Sequence, residues 1–143
     1  MDLATFFERD LDKLLEEVSL FENEETIWTT KEGITNCAGN LVLHLTGNLN
    51  HFIGQTLGNT GYVRNREQEF SLKNVPRIKL LSQISGVKEI IQDVLPKLSN
   101  EDLKKDFPLK IRDEILSTEN MLVYLLSHLN YHLGLVNYMR RMI

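Results

Sequence analysis

The chain has 143 residues, 42% of them hydrophobic and 25% charged, with a formal net charge of -4 and a single cysteine. That composition describes one globular domain over residues 1–143, able to bury about two-thirds of its unfolded surface. One thiol excludes a disulfide framework and any zinc site built on paired thiolates, and the acidic balance argues against nucleic acid as a partner.

The chain opens with acids mixed among apolar residues, Met1-Asp2-Leu3-Ala4-Thr5-Phe6-Phe7-Glu8. It shows neither the basic start nor the apolar run of a signal peptide, so the expected location is cytoplasmic. Leu3, Phe7, Leu11, Leu14 and Val18 recur at helical spacing and predict a helix over Leu3–Leu20. Glu8, Arg9, Asp12, Lys13, Glu16 and Glu17 fill its other face. Trp28, in the connection that follows, is expected to anchor that segment to the core.

A second helix is predicted over Thr35–Leu57, ended by Gly58-Asn59-Thr60-Gly61. Pro76 opens a third, Pro76–Leu95, and Ser99-Asn100-Glu101-Asp102 caps one short turn. Ser117 and Thr118 start the last, Thr118–Arg141, whose basic end suits the helix dipole. Lys110-Ile111-Arg112 and Tyr62-Val63 are short extended candidates only. The predicted fold is all-α, an antiparallel four-helix bundle with longer connections.

The second helix is unusual because no Asp, Glu, Lys or Arg occurs from Gly33 to Val63. Asn40, His44, Thr46, Asn48, Asn50, His51 and Gln55 interrupt any membrane-length apolar run, so no membrane span is expected. At about 100° per residue, Asn40, His44, Gly47, Asn48, His51, Gly54 and Gly58 share one side. A solvated face normally carries charge. This face is either an ordinary but uncharged one, or it looks into a semi-buried polar pocket.

His128 and His132 lie one turn apart on the last helix. Leu122, Leu125, Leu129 and Val136 share their side, while Asn130 and Asn137 point away. Both imidazoles therefore turn inward, opposite the second helix. Burying three imidazoles without partners would cost several kcal/mol, and a divalent metal would remove that cost. Three nitrogens with open positions is the pattern of a catalytic metal site. HExxH and the Glu-x-x-His pairs of dinuclear bundles are absent. His44 and His51 are both candidates for the third ligand. They lie about 10 Å apart along the axis, so one ion cannot easily use both.

The stretch Gly39-Asn40-Leu41-Val42-Leu43-His44-Leu45-Thr46-Gly47-Asn48, with Gly61-Tyr62-Val63-Arg64-Asn65-Arg66-Glu67 and His128-Leu129-Asn130-Tyr131-His132-Leu133-Gly134, resembles the DinB-like (YfiT-like) metal-binding four-helix bundles. It is most similar to a subfamily of unknown function. The resemblance implies His44, His128 and His132 as ligands of one divalent metal, zinc, nickel or iron. His51 then becomes a pocket residue, and Asn48, on the same side of the helix, is a further candidate to bind substrate. It also implies a metal-dependent transferase or hydrolase, a low-molecular-weight thiol as cofactor in some relatives, and a homodimer. Relatives often carry Gln soon after the last ligand; here that position is Leu135.

Arg64, Arg66, Glu67 and Glu69 are expected in a loop. They form either a solvated connection or a flap in which Arg64 or Arg66 binds an anionic small molecule. No Asp or Glu stands out as a general base. The alternative function is a non-catalytic bundle, metal-stabilised or metal-free with the imidazoles paired to each other and to Asn48, working through dimer or partner contacts.

Overall fold

The computed structural model describes residues 2–143. Helix α1 spans Leu3–Leu20, capped by the Asp2 side chain on the Thr5 amide, and buries Phe7, Leu11, Leu14 and Val18 as the spacing predicts. Its polar face is less uniform than expected, because Asp10 and Glu17 are also buried. A 3-10 turn over Glu24–Trp28 follows. It sets the Trp28 ring against Gly39, where an added Cβ would lie 2.7 Å from the indole. Trp28 is thus the anchor its sequence position suggests.

Helix α2 spans Ala38–Leu49 and starts at Cys37 rather than Thr35. A turn closed by the Ile34 amide on the Lys31 carbonyl, with Gly33 at φ +83°, occupies the preceding residues. The helix widens into a π-type turn over Asn50–Gln55 and closes with α3, Thr56–Gly58. Asn59 ends it in the left-handed region. The expected loop around residue 66 contains a short helix instead, α4, Arg66–Ser71, capped by Asn65 on the Gln68 amide. Arg66, Glu67 and Glu69 are therefore helical.

Pro76 stands just before α5, Arg77–Val94. A 3-10 turn over Leu95–Lys97 accommodates Pro96, and α6, Asn100–Lys104, carries the expected capping box from Ser99 to Asp102. The last helix, α7, covers Thr118–Met142 behind Ser117. Tyr62-Val63 and Lys110-Ile111-Arg112 form no strand among the described residues, only an isolated bridge from Ile111 to Glu114. Among the described residues, no helix is long and apolar enough to cross a membrane.

The four long helices form an all-α bundle. Lys88 of α5 reaches Asp12 of α1 at 2.7 Å, and Arg77 reaches the Ser19 carbonyl at 3.0 Å, so these neighbours are antiparallel. Helices α2 and α7 are antiparallel as well: His44 meets His128, while Lys31, ahead of α2, bonds the Met142 carbonyl at the end of α7. In contrast, α1 and α7 run the same way. Asn130 bonds Asp10 at 3.2 Å and Asn137 bonds Glu17 at 2.7 Å, so these amides, expected off the apolar side of the last helix, meet α1. Gly54 backs onto Ile90 and Gly58 onto Val94, so α5 follows the direction of the α2–α3 helix. Two parallel helices need a long return between them. That return carries α4 back across α2.

This return explains the missing charge. Every residue of α2 from Ala38 to Leu49 is buried. Trp28 covers Gly39, Glu69 covers Gly47, and the Asn40 amide donates to the carbonyls of Glu69 and Leu72. A helix packed on all sides has no face on which charge would be solvated.

Candidate metal centre

His44 from α2 and His128 and His132 from α7 meet in one cluster. Each offers a ring nitrogen, and these atoms all lie within 4.8 Å of one another. The Nε2 atoms of His44 and His128 are 3.1 Å apart. The ring centroids of His128 and His132 are 4.4 Å apart, as expected for residues one turn apart on the same inward face. His51 is not in this group. It sits in the π-type turn with its ring against Phe52, and burial followed by the Arg64 charge lowers its pKa.

His44 is fixed from behind. Its Nδ1 donates to Glu69 Oε1 at 3.0 Å, and Glu69 accepts from Arg64 Nε and Nη2, both at 2.9 Å. Burial alone would raise the Glu69 carboxyl. The hydrogen bonds from His44 and Arg64, and the Arg64 charge, outweigh it and hold the pKa below its ordinary value. An ionised carboxylate can only accept, so His44 carries a proton on Nδ1 and turns its Nε2 to the cluster. A carboxylate behind a histidine is the usual device for orienting a metal ligand.

The donor set supports a cation at this point: all three rings bring a nitrogen to one place, where the Nε2 atoms of His44 and His128 meet without a carboxylate between them. The Nδ1 atoms of His128 and His132 have no hydrogen-bond partner, and neither does Asn48 Oδ1. The imidazoles are therefore not satisfied as a set, and Asn48 does not complete them. Both α7 histidines are pushed down to about 4, by burial first and then by neighbouring positive charge. Neutral imidazole is the ligating form, so three imidazole nitrogens, donors of intermediate softness, fit one divalent ion.

These shifts fix a pH dependence for metal-free protein. The unfolded chain takes up protons on these histidines near 6.5, the folded chain only near 4. Stability is thus fully present above about 6.5 and declines as pH falls toward 4. Denaturant midpoints measured across this window should fall, and fall less in the His128→Ala/His132→Ala variant. An unchanged slope in that variant would place the titration elsewhere.

The cluster opens into a cavity of about 760 Å³, walled by residues of α7, the segment before α2, and α4. Arg66, Tyr131 and Leu135 line it. Arg64 does not line it; its side chain is 13% exposed and bound to Glu69, behind His44. Asn48 is buried within α2. Of the four residues expected around a ligand, Arg66 is the one on the cavity wall. Cys37 is buried, with its thiol 2.8 Å from Asn40 Oδ1.

Glu69 is the residue that sequence reasoning missed. Its signal was Asn65 followed three positions later by Gln68, a helix-start pattern that would have made this segment a helix with an inward side. Nothing in the spacing showed that the inward side lay against His44.

A family model described as "Protein of unknown function (DUF1572)" matches residues 6–143. The chain belongs to that family, which is DinB-like. No curated protein matches the chain.

Proposed function

We propose that this member of a family of unknown function is a mononuclear metal-dependent enzyme that acts on a small molecule. The observation that carries the reading is the convergence of His44, His128 and His132 at the inner end of an open cavity, with His44 locked by Glu69. These three residues would hold zinc, nickel or iron, and the cavity side leaves room for further ligands. When bound, the metal supplies Lewis acidity and lowers the pKa of the attacking nucleophile. The chain itself fixes the His44 tautomer through Glu69, keeps Glu69 ionised through Arg64, and surrounds the site with apolar walls.

The choice between group transfer and hydrolysis turns on acid–base groups. No Asp or Glu lines the cavity, and Glu69 has both oxygens engaged behind His44. Hydrolysis calls for a general base near the attacking water. A thiol is far more acidic than water and loses its proton with less help from a base, so transfer to or from a low-molecular-weight thiol fits better. Cys37 does not serve as that thiol, being buried on Asn40. A purely structural site would be closed by a fourth protein donor. No Cys, Asp or Glu joins the three histidines among the described residues.

The test is thiol consumption with a chromogenic aryl halide, run on metal-loaded, chelated and His128→Ala protein across a panel of small thiols. The expected result is turnover that needs both metal and His128. Equal rates in the loaded wild type and the variant would remove the enzymatic reading.

A further inference from the structure

The walls of the cavity differ from the cluster at its inner end. Tyr131, Leu135, Tyr138 and Met142 follow one another at i, i+4, i+7 and i+11 along α7 and all line it. They are 66%, 38%, 62% and 47% exposed, more apolar and aromatic surface in one row than an isolated helix face normally leaves to water. The row spans about 16 Å of helix. It begins beside the histidines, where the Tyr131 and His132 rings are 5.3 Å apart, and runs away from them.

Charge along this row has one sign. The lining contains no acidic side chain, although the whole chain is at -4. Arg66 lines the cavity and has no carboxylate partner among the described residues. Its guanidinium lies 6.0 Å from the Phe70 ring, and that ring is 4.9 Å from His44. Arg66 is therefore at the histidine end. Farther out, the Arg141 guanidinium lies over Tyr138 at 5.4 Å.

We infer that this cavity binds an amphipathic organic anion. Its acidic head lies at Arg66 beside the histidines, and its apolar body lies along the Tyr131–Leu135–Tyr138–Met142 row. The acid-free lining disfavours a cationic head, and a free guanidinium is suited to a carboxylate or a similar oxyanion. The apolar row gives an aliphatic or aromatic body contact area that a small anion such as acetate would leave unused. This assignment names the ligand class of the cavity read above as a small-molecule site, but it needs no metal in place.

The probes are octanoate, octylamine and acetate, titrated calorimetrically into the full chain, metal-free and zinc-loaded. Zinc content and solution mass are measured on the same samples. Octanoate should bind once per chain in both forms, acetate at least about 10-fold more weakly, and octylamine not at all. Arg66→Gln should weaken octanoate by about 10-fold and Arg66→Lys by less, because position 66 is exposed, so the fold tolerates either change and only the charge and fork differ. Leu135→Glu should abolish octanoate binding while leaving zinc content unchanged. Equal binding of octanoate and octylamine would overturn the role of Arg66, and equal binding of octanoate and acetate would overturn that of the apolar row. A wild-type dimer that takes up no octanoate and is split by Leu135→Glu would assign the row to a second copy of the chain. Because zinc is read separately, failure of the metal site and failure of this one are distinguishable.

Discussion

Replacing Glu69 with alanine is expected to lower metal affinity by about 10- to 100-fold and to destabilise the metal-free protein by about 3–5 kcal/mol. The two effects have different origins. Affinity falls because the His44 ring loses the acceptor that fixes its tautomer and orientation. Stability falls because Arg64, mostly buried, loses the carboxylate that neutralises it. The two are separable with the Arg64→Met/Glu69→Leu pair. Exchanging a buried ion pair for apolar side chains is often close to neutral, so stability should largely return. Affinity should stay low, since His44 still has no carboxylate behind it. Denaturant unfolding of metal-free protein gives the first quantity and competition with a chelator gives the second. Full affinity in the double variant would mean that Glu69 does not orient His44.

Gly47→Ala should reach the same centre from the other side. An added Cβ would lie 2.1 Å from Glu69 Oε2 and 2.6 Å from its Cδ. That oxygen is held by Arg64 Nε at 2.9 Å, so the carboxylate cannot move without breaking the clamp. Alanine in a helix gains about 0.5–1 kcal/mol over glycine, but overpacking costs about 1–3 kcal/mol, and at this position the cost dominates. Gly86 and Gly134 are the controls, because neither has an atom within 4 Å of an added Cβ. Gly86→Ala and Gly134→Ala should stabilise the protein, while Gly47→Ala should destabilise it and weaken metal binding. Equal shifts in thermal midpoint for all three would show that Glu69 is not seated as described.

Helices α1, α5 and α7 were legible because each buries a stripe that recurs at helical spacing, such as Phe7, Leu11, Leu14 and Val18, whereas α2 is buried all round and showed itself by its lack of charge and its glycine stop. His128 and His132 were legible for the same reason: a pair at i, i+4 on an apolar side has to face inward. His44 was harder, since the residues around it left His51 open and only the resemblance preferred one. The absence of charge on α2 correctly marked burial, yet its cause was mistaken in part. Only a portion of that surface faces a cavity, and Gly39 and Gly47 instead receive Trp28 and Glu69. The α4 segment has six residues, too few for a periodic pattern to register, and its glutamates read as solvated charge. Helix directions were legible in part: the expected antiparallel packing holds for α1–α5 and α2–α7, while the parallel pairs α1–α7 and α2–α5 depend on where the return between α2 and α5 crosses the bundle.

The most direct measurement is elemental analysis of protein purified without a metal-affinity column, then dialysed with one divalent metal and analysed again. The account predicts about one ion per chain for wild type and for His51→Ala, since three imidazoles at one point hold one ion. It predicts loss of that ion in His44→Ala, His128→Ala and His132→Ala alike. No bound metal in the wild type under any loading, or retention of the ion after removal of any one of these three histidines, would contradict it.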